Sequence, residues 1–426
     1  MPVSPSALER YETVTKRTFR MPTNPSALRG GGPYCQSVTL PPDAPAPGPG
    51  PAPGPGSALG SGSAPGSAPD PDEVGLFALQ VAGHMSGAVT AAMIHLGDKL
   101  GLYRALAAAT APLDTTTLAE RTGLVERWVR EWAYNQAAAG LLTVDTTGPT
   151  ETFALDPAGV PVLADETHEM NLLGMFHQLP QSMGMLDTAL PESFRSGIGH
   201  DYDSLGPEAA VGVERGFEPW MQNHLVTDLL PRLDGVVERL TAGVAAADVG
   251  CGAGSGVLRM ARAFPASHFS GYDISQYALD RAEQSLADSG LTNVAFHDPR
   301  TQPLPDDGSL AFATTFDCLH DMTDPEAAAR AIRLALADDG TWLVADIKAY
   351  DTFAENVEHN PLAALMYGTS VLSCMSSALS EPGGAGLGTL GMSERRAEEM
   401  ARAAGFTRFR RLDVDSPVNA FYEIRP

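Results

Sequence analysis

The chain has 426 residues, enough for more than one domain and a sizeable core. Lys plus Arg number 28 against 52 Asp plus Glu, a formal charge of −24, and an acidic excess of that size repels phosphate backbones, which argues against general nucleic-acid binding unless a local basic patch overrides it. The four cysteines (Cys35, Cys251, Cys318, Cys374) are far apart, with no CxxC and no Cys/His cluster, which argues against a disulfide framework and a structural zinc site and fits a reducing, cytoplasmic compartment.

From Pro41 to Asp72, Pro and Gly make up 18 of 32 residues. That composition cannot bury enough apolar surface to offset chain entropy, so residues 1–72 are read as a disordered tail. Five basic and two acidic residues in 1–34 give this end a faint likeness to a transit peptide, and a tail behind an upstream start codon explains it more simply. No apolar run approaches the roughly 18 residues of a membrane helix, and no secretory signal core is present, so no membrane partner is expected.

Residues 73–165 read as a small helical domain. The pattern predicts an apolar helix around Phe77–Leu106, a short one at Thr115–Thr122, a turn at Gly123, a helix from about Val125 to Ala139 and a strand pair over Leu141–Ala154. This is the spacing of a winged helix-turn-helix. The stretch 74–165 carries five basic against nine acidic residues, and the helix that would enter a DNA groove sets Glu126 and Glu131 against Arg127 and Arg130. Trp128 and Trp132 at i, i+4 make it look like a packing face, so the domain is expected to dimerise or to cover substrate, the long apolar helix joining two copies. Residues 166–243 read as helices rich in Met, Leu and aromatics; the Met stripe is expected in the core or as a pocket roof, and His177 and Trp220 as core residues.

From Val244 to Pro426 strands and helices alternate. Val244–Val249 is a short buried strand, Gly250-Cys-Gly252-Ala-Gly254-Ser-Gly256 a glycine turn, and Val257–Phe264 a helix. The glycines let the backbone turn tightly and approach a ligand, and the helix start offers free N–H groups. A second strand, Ala266–Tyr272, ends in Asp273, where a carboxylate can accept both hydroxyls of a ribose. The third glycine of the dinucleotide fingerprint would fall at Ser255, whereas here it is Gly254. Asp248 stands two residues before the turn, within reach of a cationic amino group directly or through water. Strand-like runs at Phe406–Val414 and Asn419–Arg425 suit a hairpin closing a seven-stranded sheet.

With these residues the chain resembles the class I S-adenosylmethionine-dependent methyltransferases over Val244–Pro426. With its N-terminal half it resembles the bacterial family, including a mycobacterial branch, that joins a winged-helix domain to that α/β, Rossmann-like fold. The resemblance implies strand order 3-2-1-4-5-7-6 and S-adenosyl-L-methionine over the carboxyl ends of strands 1 and 2. It places Gly250, Gly252 and Gly254 along the methionine and ribose, Asp273 on the ribose, Ile274 on the adenine, Asp298 on the adenine amino group and Phe316 at the cofactor. Pro299 stands where Ala is common after that acid.

The fourth strand, Leu310–Phe316, runs into Leu319-His320-Asp321, similar to the Leu-His-Asp-Trp segment of plant-type O-methyltransferases, in which the histidine takes the proton of the substrate hydroxyl. The resemblance implies His320 as general base with Asp321 orienting it or binding substrate; a histidine that merely shapes the pocket is the other reading. Trp342–Ile347 is the fifth strand, and the Gly-rich insertion 351–392 reads as a flexible connection that could close over a ligand. The expected activity is methyl transfer to a small, apolar or aromatic acceptor by a cytoplasmic homodimer. The alternatives are a winged-helix regulator that only senses the cofactor, or a rearrangement or decarboxylation driven by the sulfonium.

Overall fold

The computed structural model describes residues 70–426. The tail expected over 1–72 lies, but for its last three residues, outside them. Of these, residues 70–89 belong to one unit and Thr90–Pro426 forms the second.

Helix α1, Pro71–Lys99, begins with Asp72 and Glu73 and ends on Lys99, charges that suit the helix dipole. Val74, Phe77, Val81, Met85 and Val89 recur every three to four residues along it and are all exposed. Its best window reaches a mean hydropathy of 1.3, so by length and composition alone it could cross a membrane. This corrects the expectation of no such segment: Gly, Ala, Ser and His interrupt every apolar run yet leave the average high. The single helix expected over Phe77–Leu106 is also corrected, because Gly101 at φ 72° breaks it and α2 follows at Leu102–Ala107.

In the second unit, α3 (Thr115–Thr122) is capped by the Asp114 carboxylate on the Thr117 N–H and ended by Gly123 at φ 69°. Helix α4 (Glu126–Ala138) and the antiparallel pair β1 (Leu142–Asp145) and β2 (Thr152–Leu155) complete the winged helix. Its core gathers Ile94, Leu102, Tyr103, Leu118, Trp132 and Phe153. Gly97 is needed there, since a Cβ would lie 2.6 Å from the Trp132 ring. Only one tryptophan packs as expected: Trp132 is buried and its Nε1 donates to the Met93 carbonyl, whereas Trp128 is exposed.

Helices α5 (Val160–Leu163), α6 (Leu173–Gly184), α7 (Leu190–Ser196) and α8 (Pro207–Trp220) form the connector. Met170, Met175 and Met183 are exposed, against the expectation of a buried stripe; the buried positions of α6 are Leu173, Gly174 and Ser182. Gly174 and Gly212 lie where a Cβ would strike the facing helix, so the small residues set the contact. His177 joins a polar network with Glu208 and Arg215, and Trp220 stacks on Phe421. A π-helical stretch, Met221–Leu229, carries α8 on, and α9 follows at Val236–Ala242.

The remainder is a seven-stranded sheet. Its strands are β3 (Ala245–Val249), β4 (His268–Tyr272), β5 (Val294–His297), β6 (Leu310–Phe316), β7 (Leu336–Ile347), β8 (Arg408–Arg411) and β9 (Asn419–Arg425). Their order, β5-β4-β3-β6-β7-β9-β8, with only β9 running antiparallel to its neighbours, is 3-2-1-4-5-7-6 counted from β3. Strand alternation divides the core: Ala246, Phe269, Phe312, Leu343 and Phe421 face one side, and Ala247, Tyr272, Ala313, Trp342 and Tyr422 the other. Helices α10 (Ser255–Ala263), α11 (Gln276–Ser289), α12 (Pro325–Ala335) and, beyond the insertion, α16 (Glu394–Ala403) cover the parallel strands. The insertion is helical, with α13 (Phe353–His359), α14 (Ala363–Thr369), a π-turn Ser370–Cys374 and α15 (Met375–Ala378), which corrects the reading of a flexible connection.

Candidate cofactor and methyl-transfer site

The glycine turn lies between β3 and α10 at the carboxyl end of the sheet. Gly250, Gly252 and Gly254 all have positive φ (73°, 54° and 80°), but for different reasons. A Cβ on Gly250 would lie 2.6 Å from the Cys318 side chain, and one on Gly254 2.6 Å from the Phe296 ring, whereas one on Gly252 would meet nothing within 4 Å. The outer two glycines fit the turn against the sheet, and Gly252 borders open space.

Two acids flank the turn. Asp248 is buried and its Oδ1 accepts from the Thr314 hydroxyl at 2.7 Å; burial, helped by the Asp273 charge, pushes its carboxyl up to about 7 despite that bond. Asp273 accepts from the Gly252 N–H on Oδ2 and the Ser275 N–H on Oδ1, each at 2.8 Å. Burial still holds its carboxyl above the ordinary value. Each oxygen keeps a lone pair, so Asp273 can take the two hydroxyls of a ribose. Ile274 beside it is exposed. Phe316 is buried at the end of β6 with its ring near Gly256. Asp298 borders an open groove of about 220 Å³ with Phe296, His297 and Gln302. Its carboxylate is held by a bidentate contact from the Arg300 guanidinium, which also reaches the Ile274 carbonyl.

Past β6 the chain makes an unusual corner. Asp317 has φ 46°, uncommon outside glycine, and is held by Asn419 Nδ2 at 2.5 Å and by its own N–H on the Ala345 carbonyl. Burial and the neighbouring Asp346 push its carboxyl up to about 7. The corner delivers His320, 2% exposed, to Asp346: imidazole Nδ1 lies 2.6 Å from Asp346 Oδ1. Although burial opposes it, the Asp346 charge and hydrogen bond hold the imidazole well above its ordinary value. The expectation that Asp321 orients His320 is therefore corrected. Asp321 Oδ2 instead accepts from the Tyr202 hydroxyl at 2.8 Å, and its carboxyl is raised well above the usual range by burial.

Sequence reasoning missed Asp346, Tyr202 and Asp317. Asp346 follows four apolar strand residues, Trp342–Ala345, and an acid at the buried end of the strand beside β6, whose following turn carries His320, was the available signal. Tyr202 comes from a 3₁₀ turn, Tyr202–Leu205, whose Asp203 accepts from the Ser275 hydroxyl and the Gln276 N–H; no pattern near it foretells the contact.

The chain matches the family described as Methyltransferase domain over residues 240–405 and the Rv2258c-like winged HTH domain over residues 88–163. It thus carries a methyltransferase domain preceded by a winged helix-turn-helix domain. No curated protein sequence matches it. Among solved structures, human N-acetylserotonin methyltransferase in complex with S-adenosylmethionine is similar at 16% identity, with 84% of this chain and 99% of that one covered and a TM-score of 0.61. The mitomycin 7-O-methyltransferase MmcR is similar at 20% identity, 83% and 99% coverage and a TM-score of 0.57. An O-methyltransferase family protein from Burkholderia thailandensis follows at 15%, 82% and 97%, with a TM-score of 0.58. At these identities the likeness is one of fold. On α4 the Nε and one Nη of Arg130 bind Glu126, and Arg127 pairs with Glu131.

Proposed function

We propose that this methyltransferase transfers the methyl group of S-adenosylmethionine to a hydroxyl of a small, largely apolar acceptor. The observation that carries this reading is the set of acids at the carboxyl end of the sheet: Asp248, Asp273, Asp317 and Asp321, each held above its ordinary value first by burial. Such a set favours a cationic ligand, and the glycine turn beside it leaves backbone room for one. When bound, S-adenosylmethionine supplies an electrophilic methyl on a sulfonium that is already a good leaving group.

Asp273 would hold the ribose, Asp248 the amino group, Gly252 the backbone approach and Ile274 the adenine. Asp298 would reach the adenine amino group with Arg300 fixing its carboxylate. Asp346 fixes the imidazole with Nδ1 as donor, so that Nε2 is the atom of His320 left to take an acceptor proton. Tyr202 holds Asp321 at the same end. Burial of these groups excludes water, which would otherwise compete for the methyl.

The apolar stripe Val74–Val89 of α1 supports assembly of two copies through this helix, one stripe covering the other. The acidic charge, free buried cysteines and helix-spent arginines support a cytoplasmic enzyme with no nucleic-acid partner. Incubation of the full chain with S-adenosylmethionine and panels of phenols, amines and carboxylic acids, with mass detection of methylated product, tests the acceptor. Methylated phenols are expected; turnover of amines alone would overturn the hydroxyl assignment.

A further inference from the structure

Residues 197–206 join α7 to α8. Gly197 (φ 76°) and Gly206 (φ 81°) bound the segment, both in the left-handed backbone that other residues disfavour. A Cβ on either would meet nothing within 4 Å, so these two glycines serve the turn of the chain at each end and not close packing.

Between them the segment is held at three places remote in sequence. At the insertion, the Gly199 N–H donates to the Leu379 carbonyl at 2.9 Å and the His200 N–H to the Ser376 hydroxyl at 3.1 Å. The approach is close enough that a Cβ on Gly199 would collide with the Ser376 carbonyl. At the corner after β6, the Tyr202 hydroxyl donates to Asp321 at 2.8 Å. At the start of α11, Asp203 accepts from the Ser275 hydroxyl and, at 2.9 Å, from the Gln276 N–H.

Tyr202 and Asp203 are consecutive, their Cα atoms about 3.8 Å apart, yet one is tied to the residues after β6 and the other to those after β4. The strand between these two in the sheet is β3, and the glycine turn lies at its end. The segment therefore straps across the carboxyl end of β3. Ser275, whose hydroxyl binds Asp203, also gives its N–H to Asp273, so the strap is fastened beside the carboxylate assigned to the ribose. A cofactor held by Asp273 and Gly252 is enclosed between strap and sheet.

We propose that residues 197–206 are the gate of the cofactor site and that Asp203 is the positioning residue that latches it. With the Asp203 contacts made, the strap closes the way to the glycine turn. When they break, the segment swings on Gly197 and Gly206, and S-adenosylmethionine enters or leaves. Relatching on Ser275 fixes the loop that carries Asp273, and Tyr202 carries the closure to Asp321 at the acceptor end. Asp203 is only half-buried, which suits a latch: water replaces its two partners at modest cost, whereas a fully buried carboxylate would lose far more on opening. The gate rests on the cofactor reading of this site, while the latch is measurable without ligand.

The test is rapid filtration of the full chain with radiolabelled S-adenosylmethionine, with release followed after an unlabelled chase. In the wild type the observed binding rate should level off as cofactor concentration rises, at the rate of strap opening. Asp203→Ala should raise that plateau and the release rate about tenfold each, with Kd nearly unchanged. Tyr202→Phe, which loses only the hydrogen bond to Asp321, should do the same more weakly. A wild-type rate proportional to concentration throughout overturns the gate, and this curve decides even where a variant fails to fold. An Asp203→Ala protein with a lower Tm but both rates unmoved also overturns it, since that is how a residue that only supports the fold behaves. In the ligand-free chain, hydrogen exchange at the Gln276 N–H should quicken about tenfold in Asp203→Ala; unchanged exchange overturns the latch. Wild-type protein that shows the latch by exchange but takes up no S-adenosylmethionine would overturn the cofactor reading, and the gate with it, while the latch stands.

Discussion

Asp248 shows a site residue working against the fold that holds it. Its folded carboxyl sits at about 7, well above the unfolded value of about 3.9. The folded state therefore binds the extra proton, and stability falls as pH rises between those two values. The cost is absent below about pH 4, and complete above about pH 7, where it amounts to on the order of 4 kcal/mol. Asp248→Asn should thus raise the Tm of the ligand-free protein at pH 8, leave it nearly unchanged at pH 4, and weaken S-adenosylmethionine binding. Thermal unfolding at the two pH values checks this, and a variant less stable than wild type at pH 8 contradicts it. Asp346→Asn removes the charge that positions His320 and should lower kcat about 10²-fold or more, with little change in cofactor affinity; an unaltered kcat would remove His320 and Asp346 from the proton transfer together.

At the scale of elements, the glycine turn separates binding from folding. Gly252→Ala places a Cβ in open space at φ 54°, costing about 1–2 kcal/mol of backbone strain while obstructing the ligand. Gly254→Ala adds a clash with Phe296 to the same strain. Both should lose S-adenosylmethionine binding, but only Gly254→Ala should be strongly destabilised; equal Tm losses would contradict the division. Strand, glycine turn and helix were legible because periodicity and glycine spacing are local properties. The His320 corner was legible as a motif but not as geometry. Asp346 and Tyr202 come from β7 and the 3₁₀ turn, and only tertiary packing brings them to His320 and Asp321. The exposed Met170, Met175 and Met183 show the same limit, since periodicity states which residues share a face but not what that face meets.

For the whole molecule, the proposed assembly of two copies rests on the exposed face of α1. Val74, Phe77, Val81 and Met85 line one exposed stripe, and a second copy would cover it. Phe77→Asp with Met85→Asp should convert a dimer to a monomer in light scattering; a wild-type monomer would contradict assembly through α1. The same helix was the least legible in the sequence, because its interrupted apolar residues average to a membrane-like hydropathy that no single run reveals.

The most direct test of the account is calorimetric titration of the full chain with S-adenosylmethionine across pH 5–8, with NAD as control and Asp273→Ala alongside. The account predicts binding of S-adenosylmethionine and not NAD, and its loss in Asp273→Ala. Affinity should rise through about pH 7 as the bound cation draws Asp248 and Asp317 into their charged forms and releases their protons. Absence of binding, or binding indifferent to both Asp273 and pH, would contradict it.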